Sequence, residues 1–218
     1  MIQVICKIAK SKSCYTFFEP ASITKATRAK NALDKIDFIS PNLKELVALS
    51  ACLGPFELKC SREKMKYIGS EIGVFSVARP LVQTLLEKGI QYVLLTAGAH
   101  GAAAYFLDPA ATGIICIRCP ALETHIKSVN GAGDCLVGGF LASRIRGYTL
   151  EQALAFGVAA SWESLRVQVP VPQQFHTIHF QNNYRMLLEK VDTHLMPAGC
   201  CCKQCLQTAS SNIYENMA

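Results

Sequence analysis

Apolar and polar positions follow two rhythms along this chain. Short runs of β-forming residues, "CYTFFEP", "IDFIS", "QYVLLTAG", "AAAYFLD" and "GIICIRC", read as strands. Between them lie stretches with helical spacing. "ASITKATRAKNAL" is expected as a helix capped by Ser22, and "NLKELVALSACL" as one with Leu43, Leu46, Val47 and Leu49 on its apolar face. "SREKMKYIG" reads as a short polar helix, and "SVARPLVQTLLEKGI" as an amphipathic one stopped by Gly89. A helix after "NGAGD" should run to about Arg146. The next, "TLEQALAFGVAASWESL", starts at Thr149 with Gln152 three residues on, the spacing of a capping box.

Strands that alternate with helices imply parallel pairing through crossover helices. The expected fold is therefore α/β, a partly parallel sheet flanked by helices. Ligands of such sheets bind beyond the carboxyl ends of the strands. The loops "PN", "TAGAHG" and "NGAGD" are expected on that rim. The last fifty residues lose the pattern, apart from a helix expected over residues 182–191.

Composition narrows the classes. At 218 residues, half of them hydrophobic and 17% charged, the chain can bury a full core. No apolar run reaches the ~18 residues of a membrane span, and the apolar stretch in "MIQVICKIAKSKSC" is too short for a signal-peptide core. The reading is a cytoplasmic chain with no membrane partner. The net charge of +6 comes from scattered lysines and arginines with no dense block, which speaks against nucleic acid and leaves small phosphorylated ligands open. Most of the eleven cysteines sit singly among apolar residues and act as small hydrophobes. "CCCKQC" contains a CxxC, Cys202 and Cys205, with His194 as the nearest further ligand. Nothing completes a zinc site, so a reduced tail is the preferred reading.

The candidate chemistry lies in "SVNGAGDCLVGGFLASRIRG". Gly131, Ala132 and Gly133 open a helix, where backbone N–H groups lack partners and the dipole is positive. Glycine lets an anion come close. The stretch is not a GxxxxGK[ST] loop. Asp134 would repel a phosphate unless it has another task, and accepting the proton of an attacking hydroxyl is such a task. The alternative is structural: Asp134 complements the helix dipole, and Gly138 and Gly139 permit close packing.

"NGAGDCLVGGFLA" resembles the second signature of the ribokinase-like (PfkB) carbohydrate kinases. "SPNLKEL" is similar to that family's NxxE element, "LLTAGAHGAAAY" to its T-x-G-x-x-G segment, and "FFEPASITKA" to its pseudouridine-kinase-like branch. The four segments stand in the family's order. The resemblance implies a ribokinase-like fold and an ATP-dependent phosphotransferase acting on an alcohol of a sugar or nucleoside, pseudouridine above all. It makes Asp134 the catalytic base and Gly131, Ala132 and Gly133 the anion hole. Thr96, Gly98, Gly101 and Asn130 would line the nucleotide side, and Asn42 and Glu45 would organise Mg²⁺ through water. A monovalent cation is a further cofactor the family admits. Without the resemblance, Asn42 reads as a helix cap, Glu45 as a solvated charge and His100 as a loop residue.

The family's first signature, a glycine pair near the N-terminus, has no counterpart here, and Ser128 stands where an aspartate is often found. The resemblance therefore implies a domain incomplete at the front: residues 1–172 as the partial, nucleotide-binding portion and residues 173–218 as a divergent, poorly ordered cysteine-containing tail. An exposed sheet edge would favour a homo- or hetero-oligomer. The alternative function is a catalytically silent nucleotide-binding chain that pairs with or regulates a full-length kinase. Some animal proteins of this branch also carry a pseudouridine-phosphate glycosidase domain, a chemistry no residue here supports.

Overall fold

The computed structural model describes residues 1–53, 71–110 and 112–197. Six strands lie side by side in sequence order in one sheet: β1 (Phe17–Phe18), β2 (Phe38–Ile39), β3 (Tyr92–Thr96), β4 (Ala102–Leu107), β5 (Gly113–Cys119) and β6 (Asp192–Pro197). β1 and β2 pair in parallel, as do β2 and β3. β3–β4 and β4–β5 are joined by links too short for a crossover, so the sheet is mixed. The described helices are α1 (Ile2–Ser11), α2 (Ile23–Thr27), α3 (Leu43–Ala51), α4 (Glu71–Glu87), α5 (Ala132–Ile145), α6 (Leu150–Leu165) and α7 (Thr177–Leu188). The chain divides into two compact units, Met1–Leu95 with Tyr105–Cys116 and the stretch from His194, and Thr96–Ala104 with Ile117–Thr193.

In the first unit, strand register separates two kinds of side chain. Phe17 pairs with Phe38, and Phe38 with Tyr92. Their rings stack at 6.1 and 4.6 Å, and Phe106 continues the row at 5.4 Å from Tyr92. The alternate positions, Ile39 and Val93, are fully buried. A slip of one residue would exchange the two sets, so burial fixes the register. Leu46 and Leu49 of α3 and Val82 and Leu85 of α4 are fully buried too, each a contribution of about 1.5–3 kcal/mol.

Asp37 holds the starts of the three parallel strands. Its Oδ2 accepts from the Thr16 N–H at 2.7 Å and the Thr16 hydroxyl at 2.9 Å, and its Oδ1 from the Gln91 amide at 3.0 Å. Its backbone carbonyl accepts from Gln91 and Tyr92. Every one of these contacts needs an acceptor, which a buried carboxylate supplies on both oxygens.

Near the carboxyl end, β6 is seated by two features within separate units. In the first, a Cβ on Gly113 would stand 2.2 Å from the Met196 carbonyl, so only glycine fits there. In the second, Arg118 grips Asp192 through Nε at 2.8 Å and a second nitrogen on the other oxygen. Beside this pair, burial, helped by the Asp192 charge, pushes the Cys119 thiol up to about 12. It is a core group and not a reactive one.

The strands read from the sequence over residues 92–96, 102–107 and 113–119 are present, as are the Ser22 cap, the Gly89 stop at φ +104 and the Thr149–Gln152 capping box. Four features differ. "ASITKATRAKNAL" divides into α2 and a 3-10 turn, Lys30–Lys35, that buries Ala32 and Leu33. α4 begins earlier and carries Pro80, whose carbonyl accepts from the Thr84 hydroxyl. The helix expected over residues 182–191 spans Thr177–Leu188, and β6 follows it. α1 was not anticipated: its apolar residues gather on one side, with Gln3, Lys7 and Lys10 on the other, but they form no long continuous run, and Cys6 is buried while Val4, Ile5 and Ile8 stay exposed. The polar helix expected at "SREKMKYIG" and the "CCCKQC" stretch lie outside the described residues. Among the described residues no helix is long and apolar enough to cross a membrane.

Asp37→Asn keeps size but places an NH₂ against donors. It should lower unfolding free energy by about 1–3 kcal/mol, read as a reduced urea midpoint with unchanged m-value. An unchanged midpoint would remove Asp37 from the strand-start network.

Candidate active site

Four local constraints build the start of α5, all within the second unit. The segment leading to it is tied to the end of α6, where the Leu165 carbonyl accepts from Lys127 at 2.8 Å and Ser128 at 3.4 Å. The Ser128 hydroxyl then accepts from the Asn130 N–H at 3.2 Å, which turns the chain. Gly131 follows as N-cap in the left-handed region, φ +80. A Cβ there would lie 1.9 Å from the Pro170 carbonyl, so the position requires glycine for both backbone shape and space. Finally the Gly131 carbonyl accepts from Cys135 at 2.8 Å and the helix begins.

α5 is held by α6 at very short range. A Cβ on Gly139 would stand 3.0 Å from the Ala160 Cβ, and one on Gly157 only 2.6 Å from the Leu136 carbonyl. The buried Ser143 hydroxyl returns to the Gly139 carbonyl at 2.8 Å. Gly139 thus serves close packing, though against a helix. Gly138 does not: nothing lies within 4 Å of its missing Cβ.

These constraints leave a helix start that no side chain caps, as at α1 and α7. Among the described residues the N–H groups of Gly133 and Asp134 have no backbone acceptor. Both residues are exposed, and the Asp134 carboxylate makes no hydrogen bond or ion pair there. Two free donors at a positive helix end, with a free carboxylate beside them, can hold an anion and accept a proton within one turn. The adjacent Cys135 thiol is no rival nucleophile. Burial raises its pKa, Asp134 adds to this, and a hydrogen bond with Ser164 opposes it.

The other expected site residues have local structures of their own. Thr96 ends β3 half-buried, and Gly98 starts an exposed 3-10 turn at φ +58. Gly101 is buried at φ +87, and a Cβ there would meet the Cys119 carbonyl at 2.1 Å. Asn130 is exposed between Ser128 and Gly131. In the first unit, Asn42 and Glu45 form a capping box at the start of α3. The Asn42 Oδ1 accepts from the Glu45 N–H, and the Glu45 Oε2 from the Asn42 N–H, both at 3.0 Å. Glu45 is buried, which corrects the expectation of a solvated charge. Its Oε1 makes no hydrogen bond among the described residues, leaving one carboxylate oxygen for a cation otherwise held by water and phosphate, the usual manner of Mg²⁺. Among the described residues no three His, Cys, Asp or Glu side chains gather into a metal cluster.

Two elements of the site were not legible beforehand. The Pro170 carbonyl that seats Gly131 lies thirty-odd residues downstream, and only the proline-rich "VPVP" hinted at fixed backbone there. Beside Asp134, an open groove of about 460 Å³ runs over Gly138 and Ala142 to Phe156 of α6 and Phe175 and Phe180. Its aromatic wall is held by edge contacts of 4.6 Å between Phe156 and Phe180 and 5.9 Å between Phe175 and Phe180.

Comparison with known proteins gives a consistent picture. The model of the pfkB family carbohydrate kinases matches residues 1–170. The chain is similar to the pseudouridine kinase of Arabidopsis thaliana, 27% identical over 80% of this chain and 56% of that protein. Among solved structures, the ribokinase of Arabidopsis thaliana complexed with ribose and ATP aligns with a TM-score of 0.59 at 20% identity, over 84% of this chain and 51% of that one. A carbohydrate kinase from Agrobacterium tumefaciens aligns with 0.58 at 22%, over 88% and 52%. At these identities the solved structures establish the fold, a ribokinase-like α/β architecture. The chain spans about half the length of the relatives it matches.

Gly131→Ala should lower stability by about 2–4 kcal/mol, combining left-handed strain with the Pro170 clash. Gly98→Ala, with the same sign of φ but open space, should cost only about 1–2 kcal/mol. Equal urea midpoints for the two variants would contradict the seat described for Gly131.

Proposed function

The chain belongs to the pfkB family of carbohydrate kinases, and on that premise we propose that it transfers the γ-phosphoryl group of ATP to an alcohol of a sugar or nucleoside. The observation that carries the reading is the start of α5: an unpartnered Asp134 carboxylate one turn from a glycine cap, with the Gly133 and Asp134 N–H groups free. Pseudouridine is the favoured acceptor, on the likeness to the Arabidopsis pseudouridine kinase.

In this reading Asp134 accepts the proton of the attacking hydroxyl. The oxygen forms its bond to the γ-phosphorus as the bond to the β-phosphate oxygen breaks, and ADP leaves with that electron pair. The Gly131, Ala132 and Gly133 backbone, with the Asp134 N–H, stabilises charge on the transferring group. Such preorganised donors are worth about 3–4 kcal/mol each where they act. Thr96, Gly98, Gly101 and Asn130 serve the nucleotide side. Glu45, with Asn42 fixing its orientation through the cap, would hold Mg²⁺ through water. Bound Mg²⁺ supplies neutralisation of phosphate charge. Residues 1–172 would make up this kinase portion.

A second reading is favoured by one observation, that the chain spans only about half of its relatives. Phosphoryl transfer needs the acceptor oxygen held within about 3–3.5 Å of its target. A chain able to bind nucleotide but lacking the acceptor's other contacts would serve by pairing with a full-length kinase.

Purified chain with ATP, Mg²⁺ and pseudouridine should show phosphorylated product, and Asp134→Asn should reduce kcat by about 10²–10⁴-fold with ATP affinity retained. Full turnover in the variant would remove Asp134 from the chemistry. ATP binding without turnover in the wild type would favour the second reading.

A further inference from the structure

Among the described residues, Glu163 alone carries a carboxylate oxygen, Oε1, that is enclosed and without a hydrogen bond. The residue lies in the last turn of α6 and is 4% exposed. Buried polar atoms are ordinarily bonded, and an ionised carboxylate taken out of water needs a partner of opposite charge. Its position makes the need greater. The last turn is the negative end of the helix, and it holds no basic residue. Two basic side chains come near along the chain, and neither serves. Arg166 lays its guanidinium over the Trp162 ring at 4.6 Å, and Lys127, joined to this turn by its backbone N–H, is exposed. Among the described residues neither forms an ion pair with Glu163.

The supports of the α5 start meet at this same turn. The Leu165 carbonyl takes the N–H groups of Lys127 and Ser128. Ser164 forms a hydrogen bond with the Cys135 thiol, and that thiol also reaches the Pro170 carbonyl at 3.9 Å. Pro170 and Ser164, the neighbour of Glu163, therefore share one contact. At 128, where the family often carries an aspartate, Ser128 is uncharged, and its hydroxyl accepts from the Asn130 N–H. The negative charge at this junction is on α6 instead.

We propose that Glu163 binds a monovalent alkali cation at the end of α6, and that the bound ion braces the junction on which the Gly131 seat depends. The donors here are oxygens: a carboxylate, the carbonyls of a helix end, and the Ser128 and Ser164 hydroxyls. Such a set suits a hard cation. One carboxylate supplies one negative charge, and among the described residues no three His, Cys, Asp or Glu side chains gather. A single positive charge balances it, whereas divalent ions draw on more carboxylates or on phosphate. The family admits a monovalent cation. Particular to this chain is that α6, and not residue 128, carries the charge that holds it. Glu163 is a positioning residue, and its role does not rest on the phosphotransfer reading.

The test is thermal unfolding of the chain without nucleotide, in potassium chloride against N-methylglucamine chloride at equal ionic strength. Potassium should raise Tm saturably by about 3–6 °C, the shift for an ion at about ten times its Kd on a chain of this size. Glu163→Gln keeps the size and removes the charge. It should abolish the potassium-dependent rise and leave Tm in N-methylglucamine chloride at or above the wild-type value, because an uncompensated charge has gone. A purely structural carboxylate gives the opposite, a lower Tm in both salts, and that result overturns the proposal. So does a rise that persists in the variant, or a wild-type chain indifferent to potassium. A rise given by calcium chloride alone makes the ion divalent and overturns the charge assignment. In the wild type, potassium should also shift the Ser128 and Gly131 amide resonances. Saturable stabilisation with both amides unmoved overturns the bracing of the Gly131 seat.

Discussion

The contact between Gly131 and the Pro170 carbonyl governs the position of everything chemically interesting in the second unit. It allows no atom where a Cβ would be, and it holds the chain in the left-handed region at the N-cap of α5. The helix that follows is clamped by the Gly139–Gly157 approach, so its start has little freedom. Rigidity matters because unpaired N–H groups act on an anion only if they do not have to reorganise. The same contact leaves Asp134 at the third helical position, exposed and without a partner, where an ordinary capping side chain upstream would have occupied the donors it adjoins.

The start of α3 is an instructive contrast. There Asn42 and Glu45 satisfy each other's backbone N–H groups, closing the helix end. At α6, Thr149 and Gln152 do the same. Ser22 caps α2 from one side, whereas the starts of α1, α5 and α7 have no side-chain cap. An open start forgoes the stabilisation of about 1 kcal/mol that a good cap gives; what sets α5 apart is its left-handed glycine cap with an unpartnered carboxylate one turn on.

Much of this was legible in the sequence. Short runs of β-forming residues located β3, β4 and β5, and capping residues located the starts of α2, α3 and α6, because these signals are local and depend on backbone chemistry. The sequence also located the glycine turn and the start of α5 at Gly131–Asp134, since paired glycines followed by an apolar helical pattern are local signals. What stayed hidden was whatever depends on distant partners. Nothing near Gly131 announces Pro170, and nothing in "LVGGFL" distinguishes Gly139, which meets α6, from Gly138, which meets open space. α1 was concealed by the shortness of its apolar run, although its apolar residues lie on one side of the helix, and β6 by its dependence on the close approach at Gly113 and on Arg118.

The central claim is that the N–H groups of Gly133 and Asp134 form the phosphate-binding end of α5. The most direct test is backbone amide NMR of the chain titrated with ATP and Mg²⁺. Downfield shifts of the Gly133 and Asp134 amides, saturating together with nucleotide binding, are the predicted result. Saturable binding that leaves those two amides unmoved while others shift would contradict the account.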